Sequence, residues 1–96
     1  MYNIADIQKI VSPIAARYGV RRMYLFGSYA TGKNTPDSDV DLRIDKGDVR
    51  GMQMAFLLSD LEDALKLRVD LLSTSTLDER FLQAIKGEEK LMYERS

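Results

Sequence analysis

The sequence predicts a small α/β fold. A three-stranded mixed sheet, with a possible short fourth edge strand, carries about four helices packed on one side. Three observations predict it. Apolar residues recur at helical spacing in two separate stretches, residues 4–18 and 54–65. Residues 39–45 alternate cleanly between charged and apolar, the mark of a half-buried strand. The elements follow in the order α-β-loop-β-α-β-α, and strands separated by helices build an α/β layer.

The first helix rests on Ile4, Ile7, Val11, Ile14, Ala15 and Tyr18. Pro13 falls inside it, and a mid-helix proline loses a hydrogen bond and crowds the preceding turn, so a kink or two short helices are expected. Gly19 is the expected stop. Arg21-Arg22-Met23-Tyr24-Leu25-Phe26 is rich in strand formers and ends at Gly27-Ser28. Residues 29–38 hold Gly32, Asn34, Pro36 and Asp37 and read as a loop, with room for one helical turn after Ser28. In the second strand, residues 39–45, Val40, Leu42 and Ile44 face one way while Asp39, Asp41, Arg43 and Asp45 face the other. After a turn at residues 46–49, Met54, Leu57, Leu58, Leu61 and Leu65 form a helical stripe. The third strand, residues 67–72, puts Arg68, Asp70 and Leu72 on one face. Thr76 and Glu79 have capping-box spacing ahead of a last helix over about 77–86, which Gly87 ends. Leu91-Met92-Tyr93 supplies the possible edge strand, and Glu88-Glu89-Lys90 reads as a solvated surface run.

Composition narrows the chemistry. The chain has 96 residues, enough for one domain spanning 1–96, and 45% hydrophobic with 30% charged residues is the balance of a folded protein. With no Cys there is no thiol nucleophile, disulfide scaffold or thiolate-held metal. With no His there is no imidazole base and no Ser-His-Asp triad. Any metal must be held by oxygen, which favours Mg²⁺, Mn²⁺ or Ca²⁺, and any general base must be a carboxylate, Lys or Tyr. A formal net charge of -1 argues against wholesale phosphate neutralisation, so direct nucleic-acid binding is not expected. No apolar run approaches membrane-spanning length. The opening residues lack a basic segment followed by an apolar one, so no secretory signal is expected and the cytoplasm is the default location.

The charged sheet face carries the functional signal. Asp39 and Asp41 lie two apart on a strand, so their Cα atoms are roughly 6.6 Å apart on one face and both carboxylates reach a common point. Like charges held together repel unless a cation lies between them. The plain alternative is two solvated acids. Asp70 reaches the same face if the third strand neighbours the second, and three carboxylates there suit two Mg²⁺ ions about 3.5–4 Å apart, the arrangement used in in-line phosphoryl displacement. The alternative for Asp70 is an ion pair with Arg22, Arg43 or Arg68. Gly27 lets backbone approach an anion closely, and Ser28 at the opening of a helical turn adds N–H and hydroxyl donors for a phosphate. Arg43 shares the acids' parity and is read as a phosphate contact or a structural salt bridge. Tyr29 is read as a base-stacking ring or as loop packing.

The joint pattern is a strand, Gly27-Ser28, a spacer of ten residues, Asp39-x-Asp41, and Asp70 on a later strand. It resembles the DNA polymerase β-like nucleotidyltransferases. Residues 24–32, YLFGSYATG, and 36–42, PDSDVDL, are similar to the minimal nucleotidyltransferase (MNT) family, the partners of HEPN proteins. The resemblance implies a small nucleotidyltransferase core. It implies that Gly27 and Ser28 hold nucleotide phosphates, that Asp39, Asp41 and Asp70 ligate Mg²⁺, and that Asp70 helps deprotonate the attacking hydroxyl. It further implies an MntA-type antitoxin that transfers AMP from ATP to a tyrosine of a HEPN-type RNase toxin, in a hetero-oligomer with that toxin. The family often carries Arg where this chain has Thr31. Lys33 nearby offers a charge but not the guanidinium fork. Two other readings stand beside this one: a non-catalytic antitoxin that neutralises by binding, and a nucleotidyltransferase for a small antibiotic-like molecule. The acid triplet argues against the first, and the lack of room for an acceptor-binding domain argues against the second.

Overall fold

Asn3 opens the first helix. Its side chain accepts a hydrogen bond from the Asp6 N–H at 2.8 Å, and the Asp6 carboxylate accepts from the Asn3 N–H at 3.0 Å. This reciprocal cap fixes the start of α1, Ile4–Tyr18, in the computed structural model, which describes residues 2–96. Pro13 lies inside α1 without dividing it, so the expectation of two short helices is corrected. The missing Pro13 N–H forfeits one bond, but Ile7 and Val11 before it and Ile14 and Ala15 after it are all buried on one stripe. Burial of such a stripe outweighs one lost bond, at roughly 1.5–3 kcal/mol per large aliphatic side chain. Gly19 ends the helix as expected.

The chain continues as β1 (Arg22–Phe26), α2 (Ser28–Thr31), β2 (Val40–Asp45), α3 (Gln53–Leu65), β3 (Val69–Ser73), a 3-10 turn (Thr74–Thr76), α4 (Glu79–Ile85) and β4 (Lys90–Glu94). The sheet order is β3-β2-β1-β4. Strands β2 and β3 are parallel, which requires a crossover, and α3 supplies it. The β1–β2 and β1–β4 pairs are antiparallel. The mixed sheet is as expected, and the possible edge strand is a full fourth strand of five residues. Its pairing with β1 shifts register between Met23 and Tyr24, and among the described residues no helix is long and apolar enough to cross a membrane.

Strand parity divides the sheet. Met23, Leu25, Val40, Leu42, Ile44 and Met92 point into the core, where they meet Ile7 and Val11 of α1, Tyr29 of α2 and Leu57, Leu61 and Leu65 of α3. The helices are not all on one side, however. Phe26 shares the face of its register partner Asp41, and Phe81 of α4 packs edge-on against it, ring centroids 5.7 Å apart. An aromatic ring on the charged face needs cover, and α4 provides it. The expected Thr76–Glu79 capping box is also corrected. Asp78 caps α4 by accepting from the Phe81 N–H at 2.8 Å, while the Thr76 hydroxyl donates to the Ser73 carbonyl. Asp is as good a cap as Thr and stands closer to the apolar residues that anchor α4.

Arg43 ties the charged face together. It is buried, its Nη2 and Nε donate to the two Glu89 oxygens at 2.8 and 3.1 Å, and its Nη1 donates to the Thr74 hydroxyl at 2.9 Å. Its guanidinium stacks 4.1 Å from the Tyr24 ring centroid. Of the two readings of Arg43, the structural salt bridge is the one observed. Arg43→Ala leaves Glu89 buried without its partner and is expected to destabilise the fold by about 3–5 kcal/mol in urea unfolding. A loss below about 1 kcal/mol would show the pair to be dispensable.

Candidate active site

Two backbone facts bring the site together. First, the parallel register of β2 and β3 sets Asp41 directly beside Asp70, on strands about 4.8 Å apart. Second, Gly27 has φ 74° and ψ -154°, a positive-φ extended conformation reached almost only by glycine, which turns the chain sharply from β1 into α2. A Cβ at Gly27 would overlap the Asp41 Oδ2 atom, so the Gly27 backbone lies against that carboxylate. Two features thus converge on one point: the carboxylates of β2 and β3, and the Gly27-Ser28 turn. The Gly27 carbonyl accepts from the Ala30 and Thr31 N–H groups at 3.1 Å, which holds the turn. Thr31, where the family often carries Arg, uses its hydroxyl within this turn, donating to the Gly27 carbonyl at 3.3 Å.

Asp41 shows the strain of this arrangement. Its carboxyl is half-buried and its pKa is pushed up to about 6. Burial is the largest cause, followed by the negative charges of Asp70, Asp39 and Glu88. A carboxylate crowded by three others is one that a bound cation would relieve. Asp70 is exposed at the edge strand, open to solvent and to ligand.

Asp39 is placed less simply. It precedes β2 as Arg68 precedes β3, and the Arg68 Nε lies 3.2 Å from its Oδ1. Arg68 shares the parity of Asp70, so this pair sits on the acid face, beside Asp41 and Asp70. The side chains are 81% and 43% exposed, and such a pair is worth about 0–1 kcal/mol, little enough for an ion to displace. Among the described residues no three carboxylates are drawn together tightly enough to hold a metal ion as they stand. The structure therefore sets Asp41 beside Asp70 and against the Gly27-Ser28 turn, with Asp39 paired to Arg68 and near enough to add negative charge at Asp41. Asp39, Lys66 and Arg68 line a shallow cleft of about 440 Å³ bordering the acids. Tyr29 is buried in the core, so its ring serves packing rather than stacking on a base.

One residue at the site was misread in the sequence. Glu88 is half-buried, and its Oε1 accepts the Gly27 N–H at 3.1 Å. With Glu89 held by Arg43, the run 88–90 is not a simple solvated surface. The signal lay in the edge strand. Pairing Lys90 with Leu25 in an antiparallel ladder carries Glu88 back toward Gly27.

Comparison with known proteins gives the family and the fold. Residues 8–96 match the family model described as polymerase beta, nucleotidyltransferase. The protein adenylyltransferase MntA of Thermococcus cleftensis is 35% identical over 82 residues, covering 80% of this chain and 83% of the relative. Two solved toxin–antitoxin complexes share the fold at lower identity. One, with AMP-PNP, has a TM-score of 0.79 at 22% identity, covering 93% of this chain and 74% of that one. The other is a tri-AMPylated HEPN toxin of Shewanella oneidensis with its MNT antitoxin. It has a TM-score of 0.63 at 20% identity, covering 92% and 73%. The chain belongs to the polymerase beta nucleotidyltransferase family, as a minimal member similar to the MntA proteins.

Proposed function

We propose that residues 1–96 act as a single minimal nucleotidyltransferase domain that transfers AMP from ATP to a protein hydroxyl, and that the acceptor is a tyrosine of a HEPN-type toxin. The observation that carries this reading is the Asp41–Asp70 register pair set against the Gly27-Ser28 turn. Asp39, Asp41 and Asp70 would hold Mg²⁺, with two ions offsetting part of the negative charge of three carboxylates and a polyphosphate. Bound there, the ions would neutralise charge that otherwise repels the nucleotide. The crowding that raises the Asp41 pKa is what a cation held by these carboxylates would relieve.

The chain's own residues do the rest. Gly27 offers its N–H, and Ser28 its N–H and hydroxyl, to phosphate oxygens. Asp70, exposed on the edge strand, would take the proton of the acceptor hydroxyl, since the sequence offers no His for the task. The hydroxyl oxygen bonds to the α-phosphorus, the α–β phosphoanhydride bond breaks, and pyrophosphate leaves. Lys66 and Arg68 line the adjoining cleft and add positive charge beside the departing anion. The acceptor hydroxyl would come from the partner, which would orient it against the α-phosphorus. The relatives' description as adenylyltransferases and toxin–antitoxin complexes supports the same partner class.

The experiment is label transfer to a co-purified HEPN partner with Mg²⁺. Label from α-labelled ATP is expected on the partner, none from γ-labelled ATP, and none on a partner whose acceptor tyrosine is Phe. Transfer of the γ label, or none from either, would contradict the reading.

A further inference from the structure

We propose that Glu88 is a built-in competitor for the nucleotide, occupying the Gly27 amide that a phosphate oxygen must take. The inference rests on the nucleotidyltransferase reading of the site and concerns how that site is kept closed to the wrong ligand. The Glu88 Oε1 lies 3.1 Å from the Gly27 nitrogen. A backbone N–H has one hydrogen to give, so a carboxylate and a phosphate oxygen compete for it directly.

The position of Glu88 is built, not accidental. Its neighbour Glu89 is locked by the buried Arg43 fork, and Arg43 in turn holds Thr74 beyond β3. Behind it, Lys90 opens β4 in register with Leu25 of β1. These anchors fix the backbone on the C-terminal side of Glu88, while its side chain keeps its own torsions with which to swing away. Glu88 also lies close enough to Asp41 to add to the negative charge there.

The consequence is a charge filter. Free ATP, a polyanion, meets Glu88 together with Asp39, Asp41 and Asp70 and is repelled. ATP carrying its cations cancels that repulsion and can displace Glu88 from the amide. Removing Glu88 therefore tightens nucleotide binding, where removing a metal ligand would weaken it.

The test is calorimetric titration of ATP into the wild-type chain, Glu88→Gln and Glu88→Ala, each with Mg²⁺ and with a chelator. Thermal melts show that each variant is folded, and Glu88→Gln keeps the side-chain shape. Both variants are expected to bind ATP more tightly, Glu88→Ala by about tenfold, the factor one charge-assisted hydrogen bond of ordinary strength supplies. The gain should be larger in chelator than in Mg²⁺. In ¹⁵N–¹H spectra, ATP with Mg²⁺ should shift the wild-type Gly27 amide, which is already displaced in the Glu88→Ala spectrum. Equal or weaker binding by both variants, while the wild type binds, overturns the competitor role and leaves the nucleotidyltransferase reading intact. Failure of all three chains to bind ATP under either condition overturns both.

Discussion

Asp41→Asn is expected to abolish AMP transfer and, at the same time, to raise the melting temperature of the metal-free protein. The two effects share a cause. Folding brings the Asp41 carboxyl into a half-buried place beside Asp70, Asp39 and Glu88, and its pKa rises from 3.8 to about 6. A carboxyl with a raised folded pKa binds its proton more tightly in the folded than in the unfolded chain. Its contribution is therefore most favourable below pH 4 and is lost as pH climbs through about 6. At neutral pH the ionised group is a net cost. Solvent screening of a half-exposed carboxylate leaves about 1 kcal/mol of that cost, which corresponds to roughly 4–8 °C in a domain of this size. Asn keeps the shape and drops the charge. Thermal melts from pH 4 to 7.5 in chelator should show the variant gaining over the wild type as pH rises, the gap closing near pH 4. A variant that melts below the wild type at pH 7 would show Asp41 to be a structural carboxylate.

Gly27→Ala is expected to have the second large effect. At φ 74° and ψ -154° a side chain is strained by about 1–3 kcal/mol, and here the new Cβ would also overlap the Asp41 carboxylate. Asp41 or the turn must move, and either movement separates the two halves of the site. Loss of about 2–4 kcal/mol in stability and of measurable ATP binding is expected. Gly32→Ala is the control. Gly32 also has a positive φ, 79°, in the milder left-handed helical region, but nothing lies within 4 Å of its added Cβ. That variant should show the backbone cost alone and keep ATP binding. Equal ATP affinity in both variants, measured by calorimetry, would detach Gly27 from the nucleotide site.

The helices and first three strands were legible because their periodicities are unbroken, as in Val40-Asp41-Leu42-Arg43-Ile44-Asp45. The shared face of the candidate site was legible for the same reason: parity put Asp39, Asp41 and Asp70 on one side once β3 lay beside β2. What periodicity cannot show is pairing across the sheet. Leu91-Met92-Tyr93 read only as a possible strand, so the return of Glu88 to Gly27 and the capture of Glu89 by Arg43 stayed hidden. Of the two outcomes expected at Pro13, division of the helix failed because a local rule about hydrogen bonds was set against burial that depends on the whole fold. The one-sided packing of the helices failed for the same reason: Phe81 of α4 and its partner Phe26 are 55 residues apart in sequence, and only the assembled sheet shows that both faces need helices. The Arg68–Asp39 pair was also beyond reach, since side-chain choice among three nearby acids depends on strand ends that alternation does not define.

The claim beneath all of this is that carboxylates of two adjacent strands work together on a nucleotide held at the Gly27-Ser28 turn. The most direct measurement counts label from α-labelled ATP on the HEPN partner, comparing wild type with the Asp39→Asn, Asp41→Asn double variant at equal folded concentration. The account predicts that the wild type labels its partner and that labelling by the double variant falls at least a thousandfold, the scale expected when the charge stabilisation at the reacting phosphate is removed. Labelling by the double variant at the wild-type rate would contradict it.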